Sequence, residues 1–167
     1  SFRQSARFYL ADGDTAVPVR VRFAPSETTV TVCVQPDWSV GDLLLVLGAR
    51  AALDSASYYL RVARSGVVPR AGAVLRSLHL PRPHEQLEAP LEWRPRRRTM
   101  EVLTQTRHRG IYTTTSFDVD DAGRVCDALV QLAPRLRSPH ILPLFRGELF
   151  LLDPQATLAE QSLPESV

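Results

Sequence analysis

A chain of 167 residues with 44% hydrophobic content can hold one domain or two small ones, and no apolar run reaches the roughly 18–20 residues of a membrane span. All 20 basic residues are Arg; Lys and Asn are absent, which excludes Schiff-base chemistry, side-chain ubiquitin attachment and N-glycosylation sequons. A net charge of +2 is too small to announce nucleic acid, and two cysteines, Cys33 and Cys126, are too few for a disulfide framework or a zinc site. A reducing setting, cytoplasmic or nuclear, is therefore expected. The chain opens Ser-Phe-Arg, with no initiator Met or signal pattern, which predicts a piece of a larger protein. Charge is uneven: 14 Arg against 9 acids through Arg98, then 6 Arg against 9 acids. Four of those Arg (Arg94, Arg96, Arg97 and Arg98) form a knot at the junction.

Residues 1–15 hold one short strand pattern, 6–10, readable as a linker end or an added edge strand. The first module begins with Val17–Phe23, where Val19, Val21 and Phe23 alternate with Arg20 and Arg22, predicting a strand with the two Arg on the outer face. Ala24-Pro25-Ser26-Glu27 predicts a hairpin turn, and Thr28–Val34 returns with Val30, Val32 and Val34 inward. A helix is predicted over residues 40–53, capped by Ser39 or Asp37. Val40, Leu43, Leu44, Leu47 and Ala51 make its stripe, yet Leu45, Val46, Ala49, Ala52 and Leu53 fall opposite. Such a helix is either part of a larger single core or an interface with the second module, the N-terminal segment or a partner. Strand 58–63, a Gly/Pro-punctuated return over 67–80, a loop over 81–86 and a last strand over 87–94 complete module 1 (residues 16–97).

Module 2 (residues 98–167) starts with a strand over 99–106, stops at Arg107-His108-Arg109-Gly110, and resumes over 111–119 in β-branched and aromatic residues. Ala122, Val125, Cys126, Leu129 and Ala133 predict a helix started by Asp120 or Asp121 and halted by Pro134. Strands over 141–146 and 148–152 and a closing turn over 153–163 follow. Only Pro-Glu-Ser-Val remains after Leu163, so the last strand of this module is expected to be missing from the sequence.

Met100-Glu-Val-Leu-Thr-Gln-Thr, Phe117-Asp-Val-Asp, Leu144-Phe145-Arg146-Gly147 and Thr157-Leu-Ala-Glu160 resemble the strands and turns of ubiquitin-like domains. Thr29-Val-Thr-Val-Cys-Val-Gln-Pro-Asp-Trp-Ser-Val-Gly-Asp-Leu-Leu44 and Leu75-Arg-Ser-Leu-His-Leu-Pro81 resemble the same superfamily. The arrangement is similar to the N-terminal ubiquitin-like lobe pair of FERM proteins of the talin and kindlin type, and to Ras-association domains. The resemblance implies an α+β chain of two consecutive β-grasp modules. It departs from ubiquitin in lacking a terminal Gly-Gly and in placing Arg107 and His108 where ubiquitin's patch leucine sits, although Leu144 falls at its exposed recognition isoleucine.

No nucleophile elbow, phosphate loop or ligand spacing among His79, His84, His108 and His140 supports an enzyme, a metal or another cofactor. Cys126 lies on the predicted core stripe; Cys33, outward on an edge-type strand, is the more reactive candidate or is buried under a neighbour. A noncatalytic protein-binding module of a larger regulatory or scaffold protein is therefore expected. Ras-association domains offer basic residues to a GTPase's acidic effector loop, which the resemblance assigns to Arg20 and Arg22. Thr29 and Thr31 on the adjoining edge would add main-chain pairing. Leu45, Val46 and Leu144 are further protein-binding candidates. The alternatives are a tandem that braces neighbouring domains, and contact of Arg94, Arg96, Arg97 and Arg98 with an anionic membrane.

Overall fold

Alternation decides the first sheet. In β1 (Val17–Phe23) Val19 and Val21 are buried, with Arg20 and Arg22 on the other face. The chain turns at residues 24–27, Glu27 taking a φ of 57°, and returns as β2 (Thr28–Val34). β2 runs antiparallel to β1, with Val32 opposite Val19 and Val30 opposite Val21. The computed structural model of the chain describes residues 16–105, 112–136, 144–145, 148–149, 153 and 155–161. It divides into two units between Pro95 and Arg96; the predicted strand over 6–10 lies outside the described residues.

Helix α1 (Val40–Ala51) starts in a capping box: Asp42 N–H donates to Ser39 Oγ at 3.1 Å, and Ser39 N–H donates to Asp42 Oδ2 at 2.9 Å. Val40, Leu43 and Leu47 sink into the core with Val21, Leu60, Leu91 and Trp93. The helix stops two residues short of the prediction because Ala52 turns left-handed, at φ 54°, and its N–H bonds Gly48 O. Leu53 N–H reaches the same carbonyl at 2.9 Å. This reversal needs Gly48, where a Cβ would lie 2.8 Å from Leu53 O. The reversal also corrects the two-sided reading of the helix. Val46 and Leu53 pack against the core, while Leu45, Ala49 and Ala52 stay exposed.

β3 (Tyr58–Val62) pairs antiparallel with β4 (Leu91–Pro95), and β4 pairs parallel with β1. The mixed sheet has the order β2-β1-β4-β3 with α1 connecting β2 to β3, the arrangement of a ubiquitin-like β-grasp. Rings of Phe23, Tyr58 and Trp93 meet at tilted angles with centroids within 5.8 Å of one another. The return over 67–80 follows Gly66, at φ 74°, and holds one bridge, Val74 to Ser39, and a 3-10 turn, Leu75–Leu78, with Leu75 buried. The last strand begins at Leu91 rather than 87, since Pro90 has no N–H to offer a ladder and Leu87 is 91% exposed.

In the second unit β5 (Arg97–Gln105) and β6 (Tyr112–Asp120) pair antiparallel from Arg97 opposite Asp120 to Gln105 opposite Tyr112. β5 begins two residues before its prediction, so Arg97 and Arg98 are strand rather than linker. Met100, Phe117 and Val119 are buried on one face. α2 (Val125–Leu136) follows, with Val125 fully buried and Cys126 half-buried. Asp120 does not cap this helix; it accepts the Ala122 N–H at 3.0 Å in the preceding turn, which leaves Ala122 outside the helix. Pro134 does not halt it either. So near the end, it forfeits only its own bond back to Val130, and the next two residues still reach carbonyls behind it. β7 (Leu144–Phe145) and β8 (Glu148–Leu149) form a short antiparallel pair. In the turn over 155–161, Glu160 N–H donates to Thr157 Oγ1 at 3.2 Å, and Leu158 and Ala159 are buried. The missing last strand concerns residues after 161, outside those described.

One set of backbone bonds occurs in both units. Val40 N–H donates to Ala73 O, Leu75 N–H to Trp38 O and Arg76 N–H to Pro36 O, at 2.8, 2.8 and 3.0 Å. Val125 N–H donates to Ala156 O, Leu158 N–H to Gly123 O and Ala159 N–H to Asp121 O, at 2.9, 3.1 and 2.9 Å. Each set ties the segment leading into a helix to a later turn, with the same offsets and a buried Leu at the same place.

Candidate functional site

Among the described residues β2 ends the first unit's sheet, and β1 shows which of its backbone groups face outward. Arg20 N–H donates to Gln86 Oε1 at 3.2 Å and Ala24 N–H to Trp93 O at 3.0 Å, so the even residues of β1 turn toward β4. The odd residues, Val19 and Val21, therefore exchange bonds with Val32 and Val30. It follows that the N–H and C=O groups of Thr29, Thr31 and Cys33 point away from the sheet. All three residues are exposed. Sequence patterning placed Thr29 and Thr31 on this edge but missed its neighbour, Arg50. From the last turn of α1, Arg50 Nη1 donates to Thr31 O at 3.0 Å.

The two arginines of β1 are engaged within the unit. Arg20 Nη1 donates to Gln86 O at 3.1 Å and to Leu87 O at 3.4 Å. Gln86 itself is buried, and its Nε2 donates to Pro81 O at 3.0 Å and Pro18 O at 3.4 Å. Where β4 has not yet begun, this one side-chain amide serves β1 as a strand would. Nothing in the local pattern marked it, because the amide works through partners 66 and 68 residues away. Arg22 Nη1 lies 2.7 Å from Glu27 and its Nη2 3.2 Å from Glu92. The bond to Glu27, then the charge of Glu92, raises the Arg22 pKa above its already high ordinary value. Glu92 also lies 3.3 Å from Arg94 and 4.0 Å from Arg61. In register, Thr29, Arg22, Glu92 and Arg61 make one row across the four strands.

The Arg knot is not a stretch of free cations. Arg94 pairs with Glu92, Arg96 donates to both carboxylate oxygens of Asp120 at 3.3 and 2.9 Å, and Arg98 Nη2 lies 3.1 Å from buried Asp121. Arg97 is exposed and has no ion pair among the described residues. Leu45 is 41% exposed on α1. Leu144 is paired with Leu149 through its backbone in β7; its side chain lies outside the described residues, as do His108 and His140. His79 and His84 are exposed, and among the described residues no group of three His, Cys, Asp or Glu is placed to hold a metal ion. No helix among them is long and apolar enough to cross a membrane.

No protein-family model matches the sequence, and no curated protein matches it significantly. Among solved structures the chain is similar to a ubiquitin of Caldiarchaeum subterraneum, with 16% identity over 48% of this chain and 94% of that one, at a TM-score of 0.41.

Proposed function

We propose that the chain is a pair of consecutive β-grasp modules serving as a noncatalytic docking unit of a regulatory or scaffold protein, which receives an extended segment of a protein partner along β2. The observation that carries the docking reading is the outward set of N–H groups on Thr29, Thr31 and Cys33 and of C=O groups on Thr29 and Cys33, a template for one more strand that leaves the Thr31 carbonyl to Arg50. The tandem reading is supported by the backbone bonds that recur at equal offsets around α1 and α2. A Ras-family GTPase is the sharpest case of such a partner. The face beside β2 supports it in sign: Arg20, Arg22, Arg61 and Arg94 share it with Glu27 and Glu92, a surplus of cations that speeds encounter with an acidic strand. Paired as they are, these arginines steer more than they grip.

Titration against small GTPases loaded with GTP or GDP tests the reading. Binding is expected for one nucleotide state and is expected to vanish in Thr31→Pro. That variant removes an outward N–H without touching the β1 ladder and should change stability by less than about 1 kcal/mol. Binding that ignores Thr31→Pro removes the edge from consideration; no nucleotide-dependent binding removes the GTPase.

A second reading, modules that brace neighbouring domains, is favoured by Leu45, exposed beside Ala49 and Ala52 on α1. If Leu45→Glu leaves both melting temperature and oligomeric state unchanged, that face is not used. Contact with an anionic membrane has the least support, since Arg94, Arg96 and Arg98 each face a carboxylate.

A further inference from the structure

We propose that Arg50 is a gatekeeper that keeps β2 from pairing with the β2 of a second copy of this chain. Thr28–Val34 reads Thr-Thr-Val-Thr-Val-Cys-Val: seven residues, six of them β-branched, with no charge, Pro or Gly. Such a segment on an open edge is self-complementary and prone to pair with its like. Exposed strands of this kind are ordinarily blunted by a charge or proline within the strand itself. Here the strand carries neither. The charge comes instead from another element, as Arg50 reaches from α1 to the Thr31 carbonyl at 3.0 Å.

The position of the contact matters. The outward groups belong to Thr29, Thr31 and Cys33, so a two-fold antiparallel pairing that uses all of them puts Thr31 against Thr31 and Thr29 against Cys33. Both central bonds of that ladder require the Thr31 carbonyl, which Arg50 occupies in each copy. The two-fold pairing uses the β2 edge of both copies, so it closes as a dimer rather than extending. The side chains that would meet, Thr29, Thr31 and Cys33, carry no charge to keep two copies apart. This inference shares the β2 edge with the docking reading but needs no foreign partner, and the two fail on different measurements.

Sedimentation velocity of the full chain over micromolar concentrations tests it. Arg50 is exposed and, among the described residues, its guanidinium reaches the exposed Thr31 carbonyl rather than the core, so Arg50→Ala should fold. That variant is expected to dimerise at least about tenfold more tightly than the wild type, a change worth one decade in Kd. Adding Thr31→Pro to Arg50→Ala should return self-association to the wild-type level. Self-association of Arg50→Ala equal to that of the wild type, or a gain that survives Thr31→Pro, overturns the proposal.

Discussion

The two units solve one structural problem with different chemistry. Each must tie the segment entering its helix to a later turn, and each does so with the same three backbone bonds. Around those bonds the side chains differ. The first unit caps α1 with a neutral hydroxyl and an acid, Ser39 and Asp42. The second has Arg124 at the equivalent place, its guanidinium turned to Asp127 at 3.3 Å and Gln155 at 3.5 Å. The first unit closes the uncovered end of β1 with an amide, Gln86; the second holds the start of β5 with an ion pair, Arg98 to Asp121. Backbone bonds follow from topology and recur; side-chain clips are interchangeable as long as every buried polar group finds a partner.

That contrast can be broken at its ionic side first. Asp121→Ala leaves the Arg98 guanidinium without its carboxylate at a largely buried site and should cost about 3 kcal/mol, read by urea unfolding with far-UV circular dichroism. A loss below about 1 kcal/mol would mean that the pair behaves as a surface bridge. On the amide side, Gln86→Ala strips partners from the Arg20 N–H and the Pro18 and Pro81 carbonyls and should cost about 2–3 kcal/mol. Both tryptophans, Trp38 and Trp93, lie in the first unit, so fluorescence follows that transition alone. The smallest change sharpens the picture of how α1 ends. Ala52→Gly relieves a left-handed alanine and should stabilise the first unit by about 1 kcal/mol in the same assay. No gain there would show that the alanine is not strained.

Much of the framework was readable along the chain. Val19, Val21, Val30 and Val32 alternate with Arg20, Arg22, Thr29 and Thr31, and the structure keeps that alternation to the residue. The cap of α1 was narrowed to Ser39 or Asp37, because capping uses residues only three positions apart. Misreadings came where a distant partner outweighed a local signal. The 87–94 pattern looked like strand, but Pro90 shortens the ladder and Gln86 substitutes for what is lost. The Arg knot reads along the chain as a run of like charges, yet Arg94, Arg96 and Arg98 lie beside Glu92, Asp120 and Asp121, two of these more than twenty positions on.

Residue order by itself determined the order of most strands and of both helices, which faces are apolar, and that β2 is a charge-free β-branched strand. Period and propensity act within a few residues, so those features need no knowledge of the rest of the fold. Only the tertiary structure decided that β2 lies at the end of the sheet, that Arg20 and Arg22 are tied down rather than free, and that Arg50 reaches its carbonyl. Apart from the bridge from Arg22 to nearby Glu27, such contacts join residues 19 to 70 positions apart, a distance that no local pattern encodes and that the packed sheet and helix alone bring within hydrogen-bond reach.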